Sequence, residues 1–250
     1  MISIITATYD SEKTLSQTIE SLLVQTTIDF EYIIIDGYST DNTVRIIEEY
    51  EKKFKIKGIK FMWISEKDSG IYDAWNKGLK LASGQWITFL GSDDVLTSEH
   101  SLKISCKHLE KTPAADWAYS KINLINKRGK ILRKINERWI WRKFKKHMYV
   151  PHAGSFHNKN YFTKYGDFDT QFKIAGDYEM ILRKKHKLKT TFINSVTVNM
   201  LNEGISNNHI KWALKEESLA KQKNKIRNKI QCKIDENMAY LKHKIRGLIR

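Results

Sequence analysis

Cysteine and proline are scarce, with two of each in 250 residues. Cys106 and Cys232 stand far apart, without the spacing of a metal knuckle or a redox pair, which argues against a disulfide scaffold and a structural zinc and fits a reducing, cytoplasmic setting. Pro113 and Pro151 mark no clear boundary, and neither an internal repeat nor a low-complexity linker divides the chain. No run of about 18 apolar residues occurs, so no helix is expected to span a bilayer. Met1-Ile2-Ser3-Ile4-Ile5-Thr6 opens directly on an apolar strand with no basic segment before it, unlike a secretory signal.

Charge, by contrast, is plentiful and lopsided. Lys and Arg number 44 against 28 Asp and Glu, for a net +16. Yet residues 1–120 carry 13 basic and 18 acidic side chains, whereas 121–250 carry 31 and 10. An acidic first half is not that of a protein whose whole surface meets nucleic acid, so the two parts are expected to do different work. With 41% hydrophobic residues the chain can bury a core, which excludes global disorder.

Hydrophobic periodicity in the first ~100 residues alternates between strand and helix. Strands are expected at 2–8, 31–36, 60–65 and 85–90, and helices at 14–25, after Ser39-Thr40-Asp41-Asn42-Thr43, and at 71–82. Alternation of this kind predicts an α/β fold, a mostly parallel sheet covered by helices on both faces, with ligands at the carboxyl ends of the strands. That edge receives Asp36, Asp68, Asp93 and Asp94. Beyond residue 115, the runs 119–125 and 130–135 flank Asn126-Lys127-Arg128-Gly129 as a hairpin. A helix over 177–187 and a strand over 190–198 follow, and from about 208 onward one long amphipathic helix is expected.

Phe89-Leu90-Gly91-Ser92-Asp93-Asp94 sets two carboxylates just past an apolar strand. Hard divalent ions take carboxylate oxygens, and an ion so held stabilises a diphosphate leaving group. An Asp-Asp turn capping the next helix would have the same wording. Four phrases in order shift the balance: Thr6-Ala7-Thr8-Tyr9-Asp10, Asp36 to Thr43, Asp68 to Gly78, and Leu90 to Asp94. Together they resemble glycosyltransferase family 2, the inverting enzymes of GT-A fold that use nucleotide-diphosphate sugars. The likeness covers residues 2–97 and resumes at 151–183.

The resemblance implies a division into a catalytic domain over 1–207, with a nucleotide-sugar half (1–97) and an acceptor half (98–207), followed by a basic amphipathic helical extension over 208–250. It implies that Thr6, Ala7 and Tyr9 lie against the nucleotide base and ribose, with Asp36 accepting a hydrogen bond from the base and Asp68 lining the same pocket. Asp93 matches a residue that meets the ribose or donor sugar, and Asp94 the ligand of a manganese or magnesium ion. In Ala175-Gly176-Asp177-Tyr178-Glu179, Asp177 matches the family's catalytic base. An acid at a helix start is also favourable without catalysis. Tyr38, Trp75 and Gly91 depart from the family's commoner small residue, methionine and asparagine, which bears on pocket shape. His152, in Pro151-His152-Ala153-Gly154, matches a position that can meet the diphosphate, the acceptor or the metal; a histidine after proline in a loop also serves as a packing or hydrogen-bonding residue. His209 and Trp212 fall where related enzymes carry a donor-covering Gln-x-x-Arg-Trp segment. No full version occurs, which favours single-sugar transfer over processive synthesis. The donor expected by default is a UDP-sugar, and the acceptor a saccharide or lipid-linked saccharide of bacterial surface polysaccharide.

Residues 127–147 interleave ten basic side chains with Trp139, Trp141 and Phe144. Stacking plus phosphate contacts would suit nucleic acid, the alternative reading; headgroup-level aromatics and bases would suit an anionic membrane; a solvated face over a buried aromatic cluster needs neither. The C-terminal Ile-rich stripe likewise allows docking on the domain, pairing with a second subunit, or peripheral contact with the cytoplasmic face of the inner membrane. A nucleotidyltransferase is disfavoured, since no Gly-rich phosphate loop with a basic signature lies near the N-terminus. The expected partners are therefore a nucleotide sugar, a hydroxyl acceptor and an anionic membrane, not nucleic acid.

Overall fold

The computed structural model describes residues 1–202, 204 and 209–248. Its strands are β1 (Ile2–Thr8), β2 (Phe30–Asp36), β3 (Lys60–Ser65), β4 (Trp86–Phe89), β5 (Val95–Leu96), β6 (Trp117–Ile125), β7 (Ile131–Ile135), β8 (Ser155–Asn158) and β9 (Thr190–Leu201). Its helices are α1 (Leu15–Leu23), α2 (Thr43–Ile56), α3 (Ile71–Leu81), α4 (Ser101–Glu110), α5 (Trp141–Phe144), α6 (Lys159–Tyr165), α7 (Gly176–Leu182), α8 (Ile210–Lys223) and α9 (Lys229–Leu248).

One sheet unites both parts of the chain in the order β3-β2-β1-β4-β8-β6-β9-β5, with β7 paired to β6. The first four strands are parallel, as the βαβ alternation requires. Beyond them the sheet is mixed: β8 runs antiparallel to both β4 and β6, while β6 and β9 are parallel. β6 and β7 form the expected hairpin. Side chains alternate between two cores, one on each face of the sheet. Ile2, Ile4, Tyr32 and Ile34 join α1, α2 and α4 on one face; Ile5, Ile33 and Ile35 join α3, α6 and α7 on the other. α3 lies so close to β1 that a Cβ on Gly78 would meet Ile5 Cγ2 at 2.5 Å.

Two helical expectations are corrected. α7 ends at Leu182, and after it a 3-10 turn covers Lys185–Lys187 with Lys185 at φ +55°. The C-terminal stretch is two helices rather than one. Lys225 takes φ +53°, its N–H reaching Gln222 O at 2.9 Å and the next N–H, of Ile226, reaching Lys221 O at 2.9 Å. This double bond is the Schellman stop, made here without the glycine that usually signals it. Asn228 then restarts the chain by capping Gln231 N at 2.9 Å. The boundary expected at 207/208 lies outside the described residues.

Candidate active site

β1, β2, β3 and β4 lie side by side and parallel, so their carboxyl ends share one edge. The loops that leave β1 and β2 are laced together: Gly37 N donates to Thr8 O (2.8 Å), Asp10 N to Ser39 Oγ (2.9 Å) and Thr40 N to Asp10 Oδ1 (2.8 Å). Asp10 and Tyr38 are held at φ +46° and +68°, a conformation that costs a non-glycine residue about 1 kcal/mol or more. Tyr9 is 62% exposed and Tyr38 56%. A Cβ on Gly37 would meet Asp68 Oδ2 at 2.7 Å and Tyr9 at 3.4 Å, so the bare glycine keeps open a shelf between the Tyr9 ring and the Asp68 carboxylate.

Thr6 and Asp36 lie beneath that shelf and not on it. Both are fully buried. Thr6 Oγ1 donates to Leu90 O at 2.9 Å, tying β1 to the chain after β4. The Asp36 carboxylate accepts from Ser39 N (3.0 Å), Ser39 Oγ and Ser65 Oγ (2.6 Å), so its lone pairs shape the 37–39 turn. Ala7 is partly exposed beside them. Alternation along β1 sends Thr6 and Ala7 to opposite faces of the sheet, which is why the pair does not act as a unit.

At the end of β4, Asp93 and Asp94 fold back over Gly91. A Cβ there would lie 2.9 Å from Asp93 Oδ1 and from Asp94 Oδ2, so the bare glycine lets the two carboxylates close over it. Asp94 is 7% exposed, and its Oδ1 accepts Leu201 N at 3.2 Å. Burial, with the Asp93 charge added, pushes its carboxyl up to about 7. Two carboxylates crowded in this way fit a hard divalent cation, which offsets both charges. Among the described residues no three metal-ligating side chains cluster, so such a cation would complete its shell with diphosphate oxygens and water.

A cleft of about 660 Å³ runs from Gly91 and Asp94 past Trp75, Phe89 and His152 to Asp177 and Glu217. Asp177 Oδ1 accepts Tyr178 N at 2.8 Å and the Tyr72 hydroxyl at 3.2 Å. Burial pushes the Asp177 carboxyl up to about 6, with those hydrogen bonds opposing. Glu179 faces away, paired with Arg183 at 2.6 Å and 1% exposed, as residues two apart on a helix must diverge. His152 shares a proton with His157 (Nε2 to Nε2, 2.8 Å) and lies over Phe89, and burial pulls it down to about 3. It is therefore a neutral wall of the cleft.

Two site residues carried no signal in the sequence. Glu216 and Glu217 sit on α8, within a stretch read for its helical spacing, its bases and His209 and Trp212, and not for its carboxylates. Glu217 Oε1 accepts Met148 N at 3.3 Å, while Oε2 is enclosed without a hydrogen-bond partner. Burial, countered by Lys221 and aided by Asp177 and Asp235, pushes Glu217 up to about 8. Of the two carboxyls, Glu217 is pushed the higher and keeps its proton to higher pH than Asp177. Of the aromatics of 139–144, Phe144 is fully buried against Trp117 and Tyr178, while Trp139 and Trp141 are half-buried against the same core.

The family model for glycosyl transferase family 2 matches residues 3–173. The chain belongs to this family. A PGL/p-HBAD biosynthesis glycosyltransferase of Mycobacterium bovis is 29% identical over 217 residues, covering 83% of this chain and 79% of the relative. An uncharacterized glycosyltransferase of Mycobacterium tuberculosis is 31% identical over 188 residues, covering 73% and 68%. Among solved structures, S. aureus TarS 1–349 in complex with UDP-GlcNAc aligns with a TM-score of 0.67 at 17% identity, over 88% of this chain and 66% of that one. The mannosyltransferase PcManGT from Pyrobaculum calidifontis, in complex with GDP-Man and Mn2+, aligns with a TM-score of 0.68 at 15% identity, over 91% and 65%. The chain spans 39% of the longer TarS chain. The fold of this family-2 glycosyltransferase is GT-A.

Proposed function

We propose that this glycosyltransferase inverts the anomeric centre as it moves a single sugar from a nucleotide-diphosphate donor, a UDP-sugar by default, to a hydroxyl of a saccharide or lipid-linked acceptor. The observation that carries the reading is the presence of Asp94 and Asp177 on one continuous cleft. The base stacks on the shelf of Tyr9, Gly37 and Asp68, and Asp93 reaches the ribose or donor sugar. Thr6 and Asp36 act from beneath, by holding the shelf. Asp94, with Asp93, would hold a manganese or magnesium ion, which when bound neutralises the diphosphate leaving group. Asp177, ionised at neutral pH, takes the proton of the acceptor hydroxyl as its oxygen bonds to the anomeric carbon. The bond from that carbon to the diphosphate oxygen breaks, and its electron pair leaves with the nucleoside diphosphate. UDP-GlcNAc in TarS and GDP-Man with Mn2+ in PcManGT support a nucleotide-sugar donor and leave the base to experiment.

The acceptor belongs to bacterial surface polysaccharide assembly at the cytoplasmic face of the inner membrane. Support comes from α9, where Ile230, Ile234, Met238 and Leu241 are 73, 54, 50 and 59% exposed along one face beside Lys233 and Lys242. Such a face suits an anionic bilayer surface or a second copy of the chain. Among the described residues no helix is long and apolar enough to cross a membrane. Calorimetry of UDP, GDP, CDP and dTDP with Mn2+ or Mg2+ tests the donor reading. Metal-dependent binding of one nucleotide, lost in Asp94→Ala, is expected; absence of binding by all four would overturn it.

A further inference from the structure

Asp177 is the second residue of a helix of seven, too short to fix its own start. The chain just before it is held from both sides. The Glu216 carboxylate of α8 accepts three consecutive amides: Lys173 N at 3.0 Å to each oxygen, Ile174 N at 2.8 Å and Ala175 N at 2.9 Å. From the sheet side, the Tyr72 hydroxyl reaches Ile174 O at 2.7 Å, and the Tyr72 ring lies under Gly176 so closely that a Cβ there would meet it at 2.8 Å. Glu216 is 7% exposed. Burying a carboxylate is costly unless charge-assisted hydrogen bonds offset it, and three backbone donors do so. Forty residues of chain separate this carboxylate from the loop it holds, so no local turn explains the contact.

We infer that Glu216 is a positioning residue for the reaction: by clamping residues 173–175 it sets where Asp177 stands in the cleft. The inference rests on the reading of Asp177 as the base. It also makes α8 a working part of the site, not an appendage. Asp177 faces the Tyr72 hydroxyl from α3, Glu216 and Glu217 from α8, and Asp94, His147 and His152 along the cleft. Glu216 contributes a negative charge that favours the protonated form of Asp177. Removing it therefore moves the Asp177 titration toward lower pH; a general loosening of the fold would do so too, by letting water reach Asp177, but would do so equally in Glu216→Asp, which keeps the charge.

The test uses the full chain, the nucleotide sugar selected by a panel of UDP-, GDP- and dTDP-sugars, and water as acceptor. Glu216→Gln is expected to lower kcat for nucleotide release by roughly tenfold or more with donor KM little changed, and to shift the acid limb of kcat down from about 6. Glu216→Asp keeps the charge and loses reach, so its acid limb stays while kcat falls. Hydrogen exchange on the wild type supplies an arm independent of turnover: the amides of 173–175 are expected to be protected, and to exchange about tenfold faster in Glu216→Gln. An unmoved acid limb in Glu216→Gln, or unprotected amides in the wild type, would overturn the clamp. Protected amides in a wild type that neither binds nor cleaves any donor would overturn the glycosyl-transfer reading instead.

Discussion

Asp177→Asn separates catalysis from stability, because one environment drives both. The Asp177 carboxyl stands at about 6 against an ordinary 3.8. Its raised value means that the folded state prefers the protonated form, so the stabilising contribution is complete below pH 3.8 and is lost as pH rises through about 6. A shift of about 2 units corresponds to roughly 3 kcal/mol at neutral pH. Part of the residue faces the cleft, and solvent screening brings the effect to about 1–3 kcal/mol. Asparagine keeps the Oδ1 that accepts Tyr178 N and the Tyr72 hydroxyl, and never ionises. The variant should therefore melt a few degrees higher than wild type at pH 7.5, with the gap shrinking toward pH 4, while kcat falls by about 10²–10⁴. Calorimetric melts at several pH values and nucleotide-release assays check the two halves. A variant no more stable than wild type at pH 7.5 would refute the burial argument, and one that turns over normally would refute the assignment of the base.

Tyr72→Phe removes a hydrogen bond that favours ionised Asp177, so the acid limb of kcat should move above about 6; a pH–rate profile with no upward movement would count against the contact. Gly78→Ala drives a Cβ into Ile5 and should cost about 1–3 kcal/mol in urea melts, and the double variant with Ile5→Ala should lose less than the sum of the two single losses; strictly additive losses would show that the two do not touch. Glu31 accepts from Ser3, Ser83, Gly84 and Lys60 at the amino-terminal edge of the sheet, and these bonds outweigh burial to hold its carboxyl down to about 2. Its contribution is present above pH 4.5 and lost as pH falls toward 2, so Glu31→Gln should be destabilised at pH 7 and converge with wild type in acid. A constant difference across that window would be the contrary result.

Much of the frame was legible because each parallel strand is paired with a helix that follows it directly. β3 was expected at 60–65 and lies there, and α3 was expected at 71–82 and ends at Leu81. Asp68, Asp93 and Asp94 were placed on one edge by strand order alone, since a carboxyl end is a property of chain direction. Depth was not legible. Thr6 and Asp36 share motifs with Ala7 and Gly37, yet burial of the first two turns them into supports for the shelf. The break at Lys225 also escaped, because hydrogen bonds made a turn earlier close the helix without a glycine.

The amino-acid sequence by itself determined the α/β alternation, the family and the carboxylates at the strand ends, all of which follow from local periodicity and from ordered motifs. Only the tertiary structure decided which carboxylates reach the cleft, which His is neutral, and that a glutamate pair in a lysine-rich helix belongs to the site. Periodicity reports which face of an element is buried; protonation and hydrogen-bond partners depend on what other elements bring to that face. Glu216 meets residues 173–175 because α8 packs against α7, a contact between segments whose own patterns say nothing of each other.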